Sequence, residues 1–111
     1  TWVGNQSAYQ CSDSSTYIAK ALTFTSDWTS STETCVPGND QSSNNATGFG
    51  AVPAGVRIDD DDYFGRSASF WSATEGNSSR AYRRFLDYCN ARVSRSSNYK
   101  GDGFSVRCIR D

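Results

Sequence analysis

Between Arg80 and Arg95 the chain alternates with a period of two, and this constrains its fold more than any other feature. Tyr82, Arg84, Leu86 and Tyr88 form one set, and Arg83, Phe85, Asp87 and Cys89 form the other. Successive side chains of a β-strand point to opposite faces, so the two sets predict one face turned to a core and one turned outward. Ala91, Val93 and Arg95 continue the first set after a phase change near Asn90, which predicts a turn or bulge there. Ala68–Thr74 reads as a second core strand, with Phe70 and Trp71 as core residues. Gly103–Ile109 reads as a terminal strand with Phe104, Val106 and Cys108 facing inward.

The only helical pattern covers residues 15–23. Ser14 or Ser15 is placed to cap it, and Tyr17, Ile18, Ala21 and Leu22 lie along one side. Residues 29–45 have loop composition, rich in Ser, Thr, Asn and Gly. Residues 48–57 are small, apolar and punctuated by Gly and Pro, as in tight turns beside a short strand. The reading is an α+β domain of short antiparallel strands and long loops.

With 111 residues, the chain is read as one domain, residues 1–111, able to bury one modest core. Its net charge of −1 gives no electrostatic footprint for nucleic acid or a membrane surface. No apolar run approaches the roughly 20 residues of a membrane span. The chain opens at Thr1-Trp2 without a leader pattern, which fits a processed protein or one domain of a larger one. Histidine is absent, which removes the usual general base and the commonest metal ligand. No pair of carboxylates or thiols is spaced for catalysis, so the expectation is a binding module and not an enzyme, with no cofactor and no metal. The run Asp59–Asp62 lacks the spacing of a calcium loop and reads as a solvated segment.

The four cysteines, Cys11, Cys35, Cys89 and Cys108, fit no zinc pattern. Disulfides in an extracellular or cell-surface domain are the better reading, and three pairings stay open. A bridge from Cys108 to Cys11 or Cys35 would close a long loop and stabilise most. Arg84 and Arg95 read as structural, pairing with carboxylates such as Glu75 or capping loop carbonyls.

Three ordered motifs carry a resemblance. They are Asn45-Ala46-Thr47-Gly48-Phe49 with Val52-Pro53-Ala54-Gly55-Val56-Arg57; Phe70-Trp71-Ser72-Ala73-Thr74-Glu75; and Gly103-Phe104-Ser105-Val106-Arg107-Cys108. From about Ala19 to the C-terminus the chain resembles the FISUMP family, the Fibrobacter major paralogous domain, a relative of the C-type-lectin fold. The usual Cys-Pro-x-Gly-Trp-His-Leu-Pro opening of that family is missing, and Cys11 stands in Tyr9-Gln10-Cys11-Ser12 instead. The partner of Cys108 therefore stays open.

The resemblance implies a C-type-lectin-like fold: a small twisted antiparallel sheet, one or two short helices and long loops, with ligand bound on the last hairpin. It also implies a sharper idea, because some proteins of this fold are variable proteins of diversity-generating retroelements. In these, adenines of a template repeat are mutagenised and Asn codons of the AAY type are favoured targets. Family members tend to keep the positions of Ala81, Tyr82, Arg84, Leu86, Tyr88, Ala91, Val93, Arg95, Lys100, Gly103 and Phe104. Between them lie Arg83, Phe85, Asp87, Cys89, Asn90, Arg92, Ser94, Ser96, Ser97, Asn98, Tyr99, Gly101 and Asp102. Each of these is reachable from an AAY codon by changing adenines alone, and none is Lys, Glu, Gln, Met or Trp, which are not. These thirteen are the expected ligand-binding face, with Phe85, Arg92 and Tyr99 as anchors, and Ser and Asn as adaptable contacts. The partner would be a protein or a glycan. The motifs of calcium-dependent sugar binding in this fold, Glu-Pro-Asn or Gln-Pro-Asp with Trp-Asn-Asp, do not occur. The competing expectation is a fixed structural or carbohydrate-binding module of a cell-surface protein.

Overall fold

The computed structural model describes residues 2–58, 62–108 and 110. Among them is one three-stranded antiparallel sheet, β1 (Ser67–Glu75), β2 (Arg80–Asp87) and β3 (Ser94–Tyr99), in the spatial order β1-β2-β3. One α-helical turn, α1 (Ala19–Leu22), and two 3-10 turns at Ser7–Tyr9 and Gln41–Ser43 precede it. The period-two segment is thus the central strand, and the expected α+β class with few helices holds.

The register follows from the pattern. Leu86 pairs with Ala68 and Arg84 with Phe70, while Phe85 pairs with Ser69 and Arg83 with Trp71. A one-residue slip would turn Leu86 to the wrong face, so the buried side fixes the register. A shift between Trp71 and Glu75 then lets Glu75 meet Ala81. In the hairpin that follows, Asn77 Oδ1 accepts from the backbone of Ser79 (2.9 Å) and Arg80 (2.9 Å), an Asx-type closure. Between β2 and β3 the chain turns at Asn90, whose Oδ1 accepts from the Arg92 amide at 2.9 Å. The predicted phase change lies there.

Leu86, Ala68, Ala19, Ala51 and Trp28 are buried together, with Leu22, Phe70, Tyr88 and Val93 packed against them. Three alanines in that group let backbone segments approach closely, so the core is thin and relies on Trp28 and Leu86 for apolar area. Trp28 is also tied by its backbone: its N–H donates to Gln41 Oε1 (3.0 Å) and its carbonyl accepts from Gln41 Nε2 (2.8 Å). One side chain here replaces a strand partner.

α1 is far shorter than the 15–23 helix expected. Ser14 does not cap it: its hydroxyl meets Thr16, and the Cys11 N–H donates to the Tyr17 carbonyl at 2.9 Å, folding residues 11–17 into a turn. The free carbonyls of α1 are taken by the following loop. Lys20 O accepts from Asn45 N (3.1 Å), and Ala21 O accepts from both the amide and the hydroxyl of Thr47. Asn44, buried, donates to the carbonyls of Phe24 and Pro37 and accepts from Lys20 Nζ at 2.7 Å. Side-chain amides therefore pin a loop that has few apolar residues of its own.

Other expectations are corrected. Cys11 is bonded to Cys35, across 24 positions, while Cys89 and Cys108 are exposed free thiols. Cys108 closes no long loop. The terminal strand reduces to isolated bridges, Arg57 to Gly103 and Phe70 to Ser105, which flank the outer edge of β1. Val106 is 71% exposed there, with no core for it to enter, and Cys108 is exposed as well. Ile109 lies outside the described residues, as do Asp59, Asp60 and Asp61 of the acidic run. Glu75 pairs with Lys100 at 3.3 Å instead of with Arg84 or Arg95; Arg95 stacks on Tyr82 at 3.8 Å.

Candidate functional site

Opposite the core, the sheet presents Ser67, Ser69 and Trp71 from β1 and Asp87, Phe85 and Arg83 from β2. Ser94, Ser96 and Asn98 of β3 have the same parity. Two loops border this face. Val56, Ile58 and Tyr63 join Ser67, Arg83, Phe85 and Asp87 around a cleft of about 160 Å³. Phe104 comes in from the C-terminal segment and packs on Trp71 with ring centroids 4.5 Å apart. Gly55, at φ +79°, makes the first loop possible, since a Cβ there would strike the Asp62 carbonyl.

Arg83 is the centre of the face. Its Nε donates to Asn98 Oδ1 (2.7 Å) and its Nη1 to Ser69 Oγ (2.9 Å). Its guanidinium lies over the rings of Phe85 (4.2 Å) and Phe104 (4.7 Å). Asn98 reaches Asp102 Oδ2 at 3.4 Å, which extends the chain of contacts to the β3 exit. Burial lowers the Arg83 pKa, opposed by Asp87 and Asp102. Burial raises the Asp87 pKa, opposed by a hydrogen bond from Ser67 and by the Arg83 charge. The cleft thus offers a carboxylate, hydroxyls and ring faces, groups that hold a ligand by hydrogen bonds and packing.

The thirteen residues expected from the sequence do not form one patch. Arg83, Phe85, Asp87, Ser94, Ser96 and Asn98 share the outward face, with Asp102 beside them. Ser97 and Tyr99 have the opposite parity: Arg80 donates to the Ser97 carbonyl (3.1 Å) and its guanidinium stacks on Tyr99 at 4.1 Å. Cys89, Asn90 and Arg92 lie on the β2–β3 turn around a separate cavity of about 360 Å³, shared with Tyr17, Glu33 and Cys35. Gly101 is exposed in the turn after β3. Phe85, Arg92 and Tyr99 are therefore placed apart, on the cleft face, the β2–β3 turn and the opposite face of β3.

Val56, Ile58, Tyr63 and Ser67 complete the cleft, with Ser69 and with Trp71 and Phe104, which were expected in the core, beside it on the same face, and reading the chain by alternation missed them. For Ser69 and Trp71 the signal was present, since they alternate with the core residues Ala68 and Phe70. The loop residues come together only through non-local bridges. Among the described residues, no group of three or more His, Cys, Asp or Glu is placed to hold a metal ion.

The family model of the Fibrobacter succinogenes major domain matches residues 3–110, and the chain belongs to that family. The match extends nearer to the N-terminus than the three motifs do, taking in the segment around Cys11 despite its divergent sequence. Comparison with curated proteins and with solved structures gives no match.

Proposed function

We propose that this member of the Fibrobacter succinogenes major domain family is a non-catalytic, C-type-lectin-like binding domain of an extracellular or cell-surface protein. It takes a protein or glycan ligand on the outward face of β2 and β3. The observation that carries this reading is the division of β2. Leu86 anchors the strand in the core, while Phe85 and Asp87 stand on the other side beside a cleft. Phe85 and Asp87 can change without disturbing the packing around Leu86, which is what a receptor face requires. The disulfide fits an oxidising compartment.

In its sharper form, the domain is a variable protein of a diversity-generating retroelement, with Phe85, Asp87, Ser94, Ser96 and Asn98 among its diversified positions. Deep sequencing of the locus across its source population tests this form. Substitutions should concentrate at those codons and match adenines of a template repeat beside a reverse transcriptase. Uniform codons and no template would sink it.

One observation favours the second reading, a fixed module. Arg83 is held by two side-chain hydrogen bonds and two rings, an arrangement that free substitution would break. Sequence copies that vary at 85 and 87 but keep Arg83 would reconcile the two, with Arg83 as scaffold.

A further inference from the structure

Another cavity lies on the other side of the sheet. It measures about 620 Å³, within the range of about 300–1,000 Å³ usual for small-ligand sites. Val3, Ile18, Leu22 and Val93 supply apolar walls, and Arg84 and Arg92 stand at the cavity with them. Both arginines are exposed, and among the described residues neither guanidinium has a carboxylate partner. Among the described residues Arg92 makes a distant ring contact with Tyr17, at 5.5 Å, and Arg84 makes no ring contact. Asn5, Ser15 and Thr16 at the cavity are neutral, so among the described residues that line it the two cations meet no countercharge.

We infer that this cavity is a second binding site, for a small amphiphile with an apolar body and one anionic head. The walls remove the body from water, and one or both guanidiniums hold a carboxylate or phosphate through charge-assisted hydrogen bonds. Arg84 has the parity of Leu86, opposite to Arg83 and Phe85, so the site is independent of the outward face and of its proposed role.

Titration of the isotope-labelled protein followed by NMR tests the site, with octanoate, octyl phosphate and octan-1-ol as probes. Octanoate should saturably shift the methyl signals of Val3, Ile18, Leu22 and Val93, and octan-1-ol should bind about tenfold more weakly. Arg84→Gln and Arg92→Gln should each weaken octanoate about tenfold without changing the octan-1-ol affinity. Arg66→Gln, the same loss of charge at an exposed residue beside Tyr63, should change neither. Octyl phosphate binding tighter than octanoate assigns a phosphate head, and the reverse order assigns a carboxylate. The inference is overturned if octan-1-ol matches octanoate, if neither Arg variant weakens the anion, or if the shifted methyls lie elsewhere. Unchanged signals from Leu86 and Trp28 will show that the variants remain folded.

Discussion

The guanidinium of Arg83 donates to two side-chain oxygens and lies over two rings, so its removal unsettles groups on all three strands. Ser69, fully buried, would lose the closer of its two hydroxyl partners and keep only the Ser67 hydroxyl at 3.5 Å. Arg83→Ala is therefore expected to cost about 1–3 kcal/mol in urea unfolding. Tyr99→Ala and Arg92→Ala, at exposed positions, should stay within about 0.5 kcal/mol of the parent. Asp87 gives a pH signature. Its pKa is raised in the folded state, so its contribution to stability is fully present below the unfolded carboxylate value. That contribution is lost as pH rises through the folded value. Asp87→Asn should hence be neutral to stabilising at pH 7, and unfolding curves of the two proteins should converge as the pH falls below the ordinary carboxylate range. A variant less stable at pH 7 than at low pH, relative to the parent, would mean that the Arg83 attraction outweighs burial.

At the scale of the element, one side chain closes the β1–β2 hairpin beside the backbone bonds from Gly76 and Asn77 to the Arg80 carbonyl. Asn77→Ala removes the acceptor of the Ser79 and Arg80 amides, and those two amides should exchange with solvent faster while the Leu86 amide stays protected. A loss of about 1 kcal/mol in stability should accompany this. The central strand was legible because a half-buried strand writes its two faces into alternate residues, and Tyr82 to Tyr88 do so plainly. β3 was legible only as far as Arg95. Ser96-Ser97-Asn98-Tyr99 carries no apolar alternation, and its place is set by pairing with β2. The helix was over-read because Ser14, a good cap by composition, is drawn into the turn closed by Cys11 and Tyr17. The terminal strand failed for a related reason: Phe104 finds Trp71, and beyond Ser105 the chain is held by the Arg107 side chain on Phe49 and Phe70, with no further backbone bridge among the described residues. The cleft was legible on its β2 side alone, since the residues opposite arrive from loops whose approach is decided by long-range backbone bonds.

For the whole molecule, the radius of gyration of 13.8 Å is close to the roughly 13 Å expected for a compact chain of this length. The long loops are therefore packed down, and polar side chains such as Asn44 and Gln41 hold them there along with the Cys11–Cys35 bond. That bond encloses a loop of 24 positions, and the chain-entropy relation gives it about 3.5 kcal/mol. Cys11→Ser with Cys35→Ser should lower the melting temperature by several degrees, as should reductant, whereas Cys89→Ser and Cys108→Ser should not. Non-reducing peptide mapping should find Cys89 and Cys108 alkylatable without prior reduction.

The alternating parity of β3 also sets rules for anyone who would build new binders on this scaffold. A combinatorial library that randomises every codon from 94 to 99 sends half of its diversity to the side occupied by Arg95, Ser97 and Tyr99, where a target on the cleft cannot meet it. Randomising 94, 96 and 98 together with 85 and 87, with Arg83 left in place as a brace, concentrates the same number of transformants on one continuous paratope.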